Sequence, residues 1–147
     1  MDRQTWLSTL AIAPHADLIA HADLIARAAP FDAPAQTLRA PEIGSVMVRG
    51  RAGGTGAPFN LGEMTVTRGA VRVGDYDGHG WVQGRSKPAA RAAAVLDALL
   101  QGERASEVEA AVIKPLAEAA QTRRDARAKK AEATKVDFFT LARGEDQ

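Results

Sequence analysis

No cysteine occurs in this 147-residue chain. That removes disulfides, thiol nucleophiles and any iron–sulfur cluster ligated by the chain itself. Aromatic residues are scarce, at 5%, so a core must be built from Ala, Val, Leu and Ile and is expected to be thin. Charge of one sign is lacking too: 19 Lys and Arg stand against 18 Asp and Glu. Such a balance argues against nucleic acid or a membrane surface as partner. No apolar run approaches the roughly 18 residues of a membrane span, and no apolar stretch follows a basic start. A cytoplasmic protein is the expectation. Metal-ligand clusters are missing as well. Asp17 and His21 stand four apart, but no third ligand is evident, so a surface ion pair is the plainer reading and no metal is expected.

What is present fits one domain over 1–147, since this length buries a real core without needing a second. Trp6, Leu7, Leu10 and Ala11 recur at helical spacing and predict a helix from about Asp2 to Ile12. Pro14 suits the first turn of a second helix that ends at Pro30, so helices fill 1–30. This second helix contains a tandem repeat, His15-Ala-Asp-Leu-Ile-Ala20 and His21-Ala-Asp-Leu-Ile-Ala26. Six residues rotate a helix by roughly 600°, so the copies do not share a face. Leu18, Ala22, Ile25 and Ala29 are the expected seam.

Strand signals run through 37–84. Ser45 to Arg51 alternates, with Val46 and Val48 on one face and Met47, Arg49 and Arg51 on the other. Met64 and Val66 then occupy even positions, whereas Val71 and Val73 occupy odd ones. A β-bulge near Arg68-Gly69 would reconcile them on one buried face. Asp75 to Gly78 reads as a turn and His79 to Gly84 as the next strand. The expected fold is α+β: a small antiparallel meander of three to four strands flanked by N- and C-terminal helices. Helices fill 86–134. Ser86 caps the first of them, which carries a stripe of Ala92, Val95, Leu96 and Leu99, and Gly102 follows its end. Ser106 and Glu109 match a capping box. Pro115 opens a long polar helix whose only apolar face is alanine, and a tail over 135–147 turns hydrophobic at Phe138 and Phe139, candidates for docking on a partner.

Three features point to chemistry. Gly53, Gly54, Thr55 and Gly56 could present backbone N–H groups to an anion, although the loop has neither the lysine of a Walker loop nor a following helix. Arg85 and Lys87 flank a helix start where free N–H groups and the helix dipole favour phosphate, with ordinary capping as the alternative. Trp81 and Gln83 share a strand face, either in the core or on a partly polar surface. No nucleophile–base set or paired carboxylate emerges, and His79 is the one histidine near this region. The catalytic residues are therefore left unassigned.

Arg51-Ala-Gly-Gly-Thr-Gly56, Thr67-Arg-Gly-Ala-Val-Arg72, Gly80-Trp-Val-Gln-Gly-Arg85 and Val136-Asp-Phe-Phe-Thr-Leu-Ala-Arg-Gly144 occur in this order. Together they resemble the PhnG family of phosphonate metabolism proteins, the G subunit of the carbon–phosphorus lyase complex. The resemblance implies a subunit that works with the H, I and J proteins and an associated L protein, not a catalyst alone. It implies a role in transferring a phosphonate to ribose C1 of ATP with release of adenine, giving a ribose 1-phosphonate 5-triphosphate. ATP is then a substrate of the complex, and this chain binds no cofactor itself. The loop glycines, Thr55, Thr67, Arg68, Trp81, Gln83, Arg85 and Lys87 become candidates for contact with substrate phosphates or neighbouring subunits. A stand-alone anion- or nucleotide-binding domain and a non-catalytic scaffold remain the alternatives.

Overall fold

A computed structural model describes residues 1–12 and 18–134, with side chains from His21 onward in the second segment. The order is α1 (Arg3–Ile12), α2 (Leu18–Ala28), β1 (Gln36–Arg51), β2 (Pro58–Val73), β3 (Tyr76–Gln83), α3 (Lys87–Leu99), α4 (Ala105–Val108) and α5 (Lys114–Glu132). The three strands form an antiparallel meander in the order β1-β2-β3. The α+β expectation therefore holds, with three strands.

Helix α3 is the centre of the fold and packs on β2 and β3. Ser86 caps it as expected, its Oγ accepting from the Ala89 amide at 3.3 Å. Its buried surface is wider than a stripe: from Ala89 to Leu100 every residue is buried except Arg91 and Ala92. The cause is small side chains meeting glycines. A Cβ on Gly78 would overlap the Ala94 carbonyl, and one on Gly80 the Ala90 carbonyl. The helix thus lies almost backbone-to-backbone on β3. Closeness replaces bulk, which is how a chain poor in aromatics fills the space between this helix and the sheet.

The apolar parity of β2 has a different solution from a bulge in that strand. β2 pairs with β3 without interruption, Arg68 opposite Trp81 and Gly69 opposite Gly80. The irregularity sits across from it, in β1, where three residue steps from Arg39 to Glu42 face two from Ala70 to Arg68. Pro41 lies in that step, and a residue without an N–H is suited to an irregular edge position. Thr67, Val71 and Val73 face α3, while Met64 and Val66 belong to the opposite face. Both faces of the sheet carry apolar residues, so no switch of parity was needed. The β2–β3 turn also falls earlier than Asp75–Gly78, because Val73 pairs with Tyr76 and Gly74 takes φ 57° between them.

Two further expectations change. The buried residues of α2 are His21, Leu24 and Ala28, with Ile25 half-buried against the core as expected, while Ala22 and Ala29 are exposed and the Leu18 side chain lies outside the described residues. Ser106 caps nothing: α4 begins after Arg104 and runs through a π-helical turn, Glu109–Ile113, directly into α5. Pro115 supplies no N–H to the preceding turn, and the widened π geometry beside it absorbs that loss without ending the helix. From Gln121 to its end at Glu132 α5 is exposed all round. Among the described residues no helix is long and apolar enough to cross a membrane. Asp17, Phe138 and Phe139 lie outside the described residues.

Candidate functional site

The face of the sheet turned away from α3 gathers the most chemistry. Register places Arg68 beside Trp81 on β3 and Glu42 on β1. The Arg68 guanidinium lies 5.3 Å from the Trp81 ring centroid and bonds Glu42 through Nε at 2.7 Å. Arg39 reaches the same carboxylate oxygen at 3.3 Å. Arg39, Arg68 and Trp81, with Leu38, Ala70 and His79, line a shallow groove. Trp81 is 41% exposed, a surface residue and not a core one. Beside the groove, Arg72 and Asp77 pair at 2.6 Å. The hydrogen bond from Arg72, chiefly, holds the Asp77 carboxyl below the ordinary carboxylate range and raises Arg72 in turn. Such a groove can stack a planar group or neutralise an anion. It holds no nucleophile paired with a base, and no metal-binding cluster occurs among the described residues.

The other candidates lie apart from it. Gly53, Gly54, Thr55 and Gly56 form the tip of the β1–β2 hairpin, with Gly53 at φ 59° and Gly54 at φ 85°. Nine residue steps along β1 separate Arg51 at this tip from Glu42, which is roughly 30 Å of strand. Part of the loop's donor capacity is spent internally: the Gly56 amide donates to Ala52 O at 2.7 Å, and the Ala52 amide to Ala57 O at 3.3 Å. Thr67 is fully buried, on the α3 side. Its hydroxyl donates to Gly84 O at 2.7 Å and accepts from the Ser86 amide at 3.1 Å, tying β2 to the turn before α3. The start of α3 is closed by its own cap, leaving Arg85 and Lys87 exposed at its rim. Gln83 is half-buried, and its carbonyl accepts from His21 Nε2 at 2.9 Å. His21 is thus a buried residue of the sheet edge, not a surface group, and its Nδ1 has no partner among the described residues.

One constellation escapes any reading of local sequence. Asp97, on α3, is fully buried. It accepts from Trp6 Nε1 at 2.8 Å, from Arg3 Nη2 at 2.8 Å and Nε at 3.2 Å, and from the His79 amide at 2.8 Å. The hydrogen bond to Asp97 raises Arg3 further above its ordinary range. Arg3 also donates to the Asp77 carbonyl, which Gln101 Nε2 approaches at 2.9 Å. Backbone groups along the outer edge of β3 are consumed by side chains from α1, α2 and α3. The available signal was a lone carboxylate inside Val95-Leu96-Asp97-Ala98-Leu99, an otherwise apolar run.

Comparison with known proteins finds a family model and a similar protein. A family model described as phosphonate metabolism protein PhnG matches residues 1–144. The alpha-D-ribose 1-methylphosphonate 5-triphosphate synthase subunit PhnG of Rhizobium meliloti (strain 1021) is 48% identical over 114 residues, which cover 74% of this chain and 70% of that protein.

Proposed function

Because the chain belongs to the family of phosphonate metabolism protein PhnG, we propose that it is the G subunit of a carbon–phosphorus lyase assembly. It serves there as a non-autonomous part of alpha-D-ribose 1-methylphosphonate 5-triphosphate synthase. The observation that carries this reading is the family match over nearly the whole chain, residues 1–144. Its partners are the H, I and J proteins with an associated L protein. The reaction it supports joins a phosphonate oxygen to ribose C1 of ATP as adenine leaves with the former glycosidic electron pair. ATP and the phosphonate are substrates of the whole assembly, which works in the cytoplasm, and this chain brings no cofactor.

The physical features agree with a supporting role. The described residues supply cations and stacking surface but no nucleophile–base pair. A stand-alone anion site would need the glycine tip to converge with Arg85 and Lys87 at the start of α3, and the hairpin from Thr65 to Pro58 separates them. Within the assembly, Arg68 and Trp81 are the residues best placed to meet an anionic or planar group from a neighbour. The test is adenine release from ATP and methylphosphonate by the reconstituted G, H, I and L proteins. Omitting this chain abolishes release if the reading is right. Arg68→Ala is expected to assemble normally and lose about tenfold or more in rate, the effect of removing one charge-assisted contact. Undiminished release without the chain would refute the assignment.

A further inference from the structure

Helix α5 continues for about three turns past Ala120, its last buried residue. Leu116 and Ala120 are the residues it buries, and the helical period carries their line on through Arg123, Arg127 and Lys130. Ala120, Arg123 and Arg127 line one hollow beside Ile12 of α1, so they share a side. The carboxylates of α5 fall elsewhere: Glu118, Asp125 and Glu132 repeat every seven residues on the opposite side. The row of cations therefore has no acid within reach on its own helix. No position three or four residues from Arg123, Arg127 or Lys130 is a carboxylate. Instead Arg127 stands four residues from Arg123 and three from Lys130, and like charges at those spacings oppose the helix. Asp125 is taken by Gln121 Nε2 at 2.7 Å. Among the described residues neither Arg123 nor Lys130 has a side-chain partner. A helix that is polar all round and stands in water is stabilised by many ion pairs between its turns. This one keeps its most exposed cations apart from its acids.

We propose that this row is a docking face, and that it seats on a carboxylate-bearing surface of another subunit of the assembly. The inference rests on the subunit reading above. The charges that select the occupant lie on the docking face itself. Carboxylates set against it relieve the repulsion within the row and accept charge-assisted hydrogen bonds from it. Arg123 and Lys130 stand roughly 10 Å apart along the helix axis, so the matching acids are spread along a line and not gathered at one point. Ala119, Ala126 and Ala133 border the row, and small side chains there let a partner surface approach the helix closely. A second copy of this chain fits poorly, because two such helices docked row to row set cation against cation. A nucleic acid fits poorly too, because the whole chain balances 19 Lys and Arg with 18 Asp and Glu and has no general field to attract a polyanion.

The test uses the full chain, tagged and co-expressed with the H, I and J proteins, as wild type, Arg123→Glu, Lys130→Glu and a control, Lys129→Glu, which makes the same charge change off the row. Arg123→Glu places a carboxylate four residues before Arg127, a spacing that favours the helix. The isolated row variants should therefore keep the wild-type circular dichroism and unfolding midpoint. The expected result is that each row variant retains its partners roughly tenfold less or worse, while Lys129→Glu retains them fully. Wild-type retention should also weaken as salt is added. Row variants that co-purify like wild type overturn the inference and leave the subunit reading standing. A wild-type chain that retains no partner overturns both. Self-association of the isolated chain that Arg123→Glu abolishes reassigns the row to a second copy. Binding of a duplex DNA or RNA probe by the isolated chain, lost in Arg123→Glu, reassigns it to nucleic acid. A stability loss in the isolated Arg123→Glu chain that Asp137→Lys, Glu145→Lys or Asp146→Lys reverses reassigns it to the chain's own tail. Each reassignment overturns the inference.

Discussion

Replacing Asp97 by alanine tests whether the fully buried carboxylate stabilises the fold through the donors it satisfies. The change leaves the Trp6 indole N–H and the His79 amide without an acceptor. A buried donor stranded in this way costs about 1–3 kcal/mol. Arg3 contributes less, because its side chain is 42% exposed and can turn to water. The combined loss is about 4 kcal/mol, within the range of 3–5 kcal/mol seen when one partner of a buried pair is removed. With a urea m-value of about 2 kcal/mol/M, the unfolding midpoint should fall by about 2 M. Arg3→Ala provides the internal comparison and should cost clearly less than Asp97→Ala. Equal losses would place the energy in the ion pair and refute the argument from stranded donors. A midpoint for Asp97→Ala within about 0.3 M of wild type would refute it altogether.

Two other perturbations follow from the same packing and charges. Gly80→Ala drives a methyl into the Ala90 carbonyl and should destabilise by about 3 kcal/mol or more, the upper end for overpacking, whereas Gly44→Ala meets nothing within 4 Å and should be near neutral by thermal unfolding. The Arg72–Asp77 pair predicts an acid limb of stability. Asp77 is depressed when folded, so its contribution is complete above the unfolded carboxylate value near 4 and is lost as pH falls through the lower, folded value. Asp77→Asn should flatten stability against pH in that acid range and change nothing in the shape of the curve near neutrality, as read from urea midpoints.

Much of the architecture is written locally. The alternation of Val46 and Val48 against Met47 and the Ser86 cap each depend on neighbours within a few residues, and each is found as expected. The shared face of Trp81 and Gln83 is local too, although only the structure shows that Trp81 is open to solvent. The failures come from distance or from a mistaken premise. The β2 parity break implied a bulge only if one face of the sheet was to be buried, and here Met64 and Val66 belong to the face turned away from α3 while Val71 belongs to the helix's. Asp97 was illegible because its partners Arg3 and Trp6 lie 94 and 91 residues away. Ser106 and Glu109 have the spacing of a capping box, but the chain was already helical there and had no free N–H groups to cap. Composition along one stretch groups the candidate anion ligands, but the hairpin carries the glycines about 30 Å from Arg68.

The outer edge of β3 gives the sheet a direction. An open sheet usually has two edges at which another chain can add, and repeated addition at both leads to a filament. Here the Asp77 carbonyl, the His79 amide and the Gln83 carbonyl are already held by Arg3 and Gln101, by Asp97 and by His21. Growth through β3 is shut, and only the β1 side and the hairpin beyond the end of β3 can accept a strand. Strand addition is thus directed to the outer side of β1 and to the open edges of that hairpin, away from the helices packed along β3, and a neighbour that extends this sheet has to approach it from there.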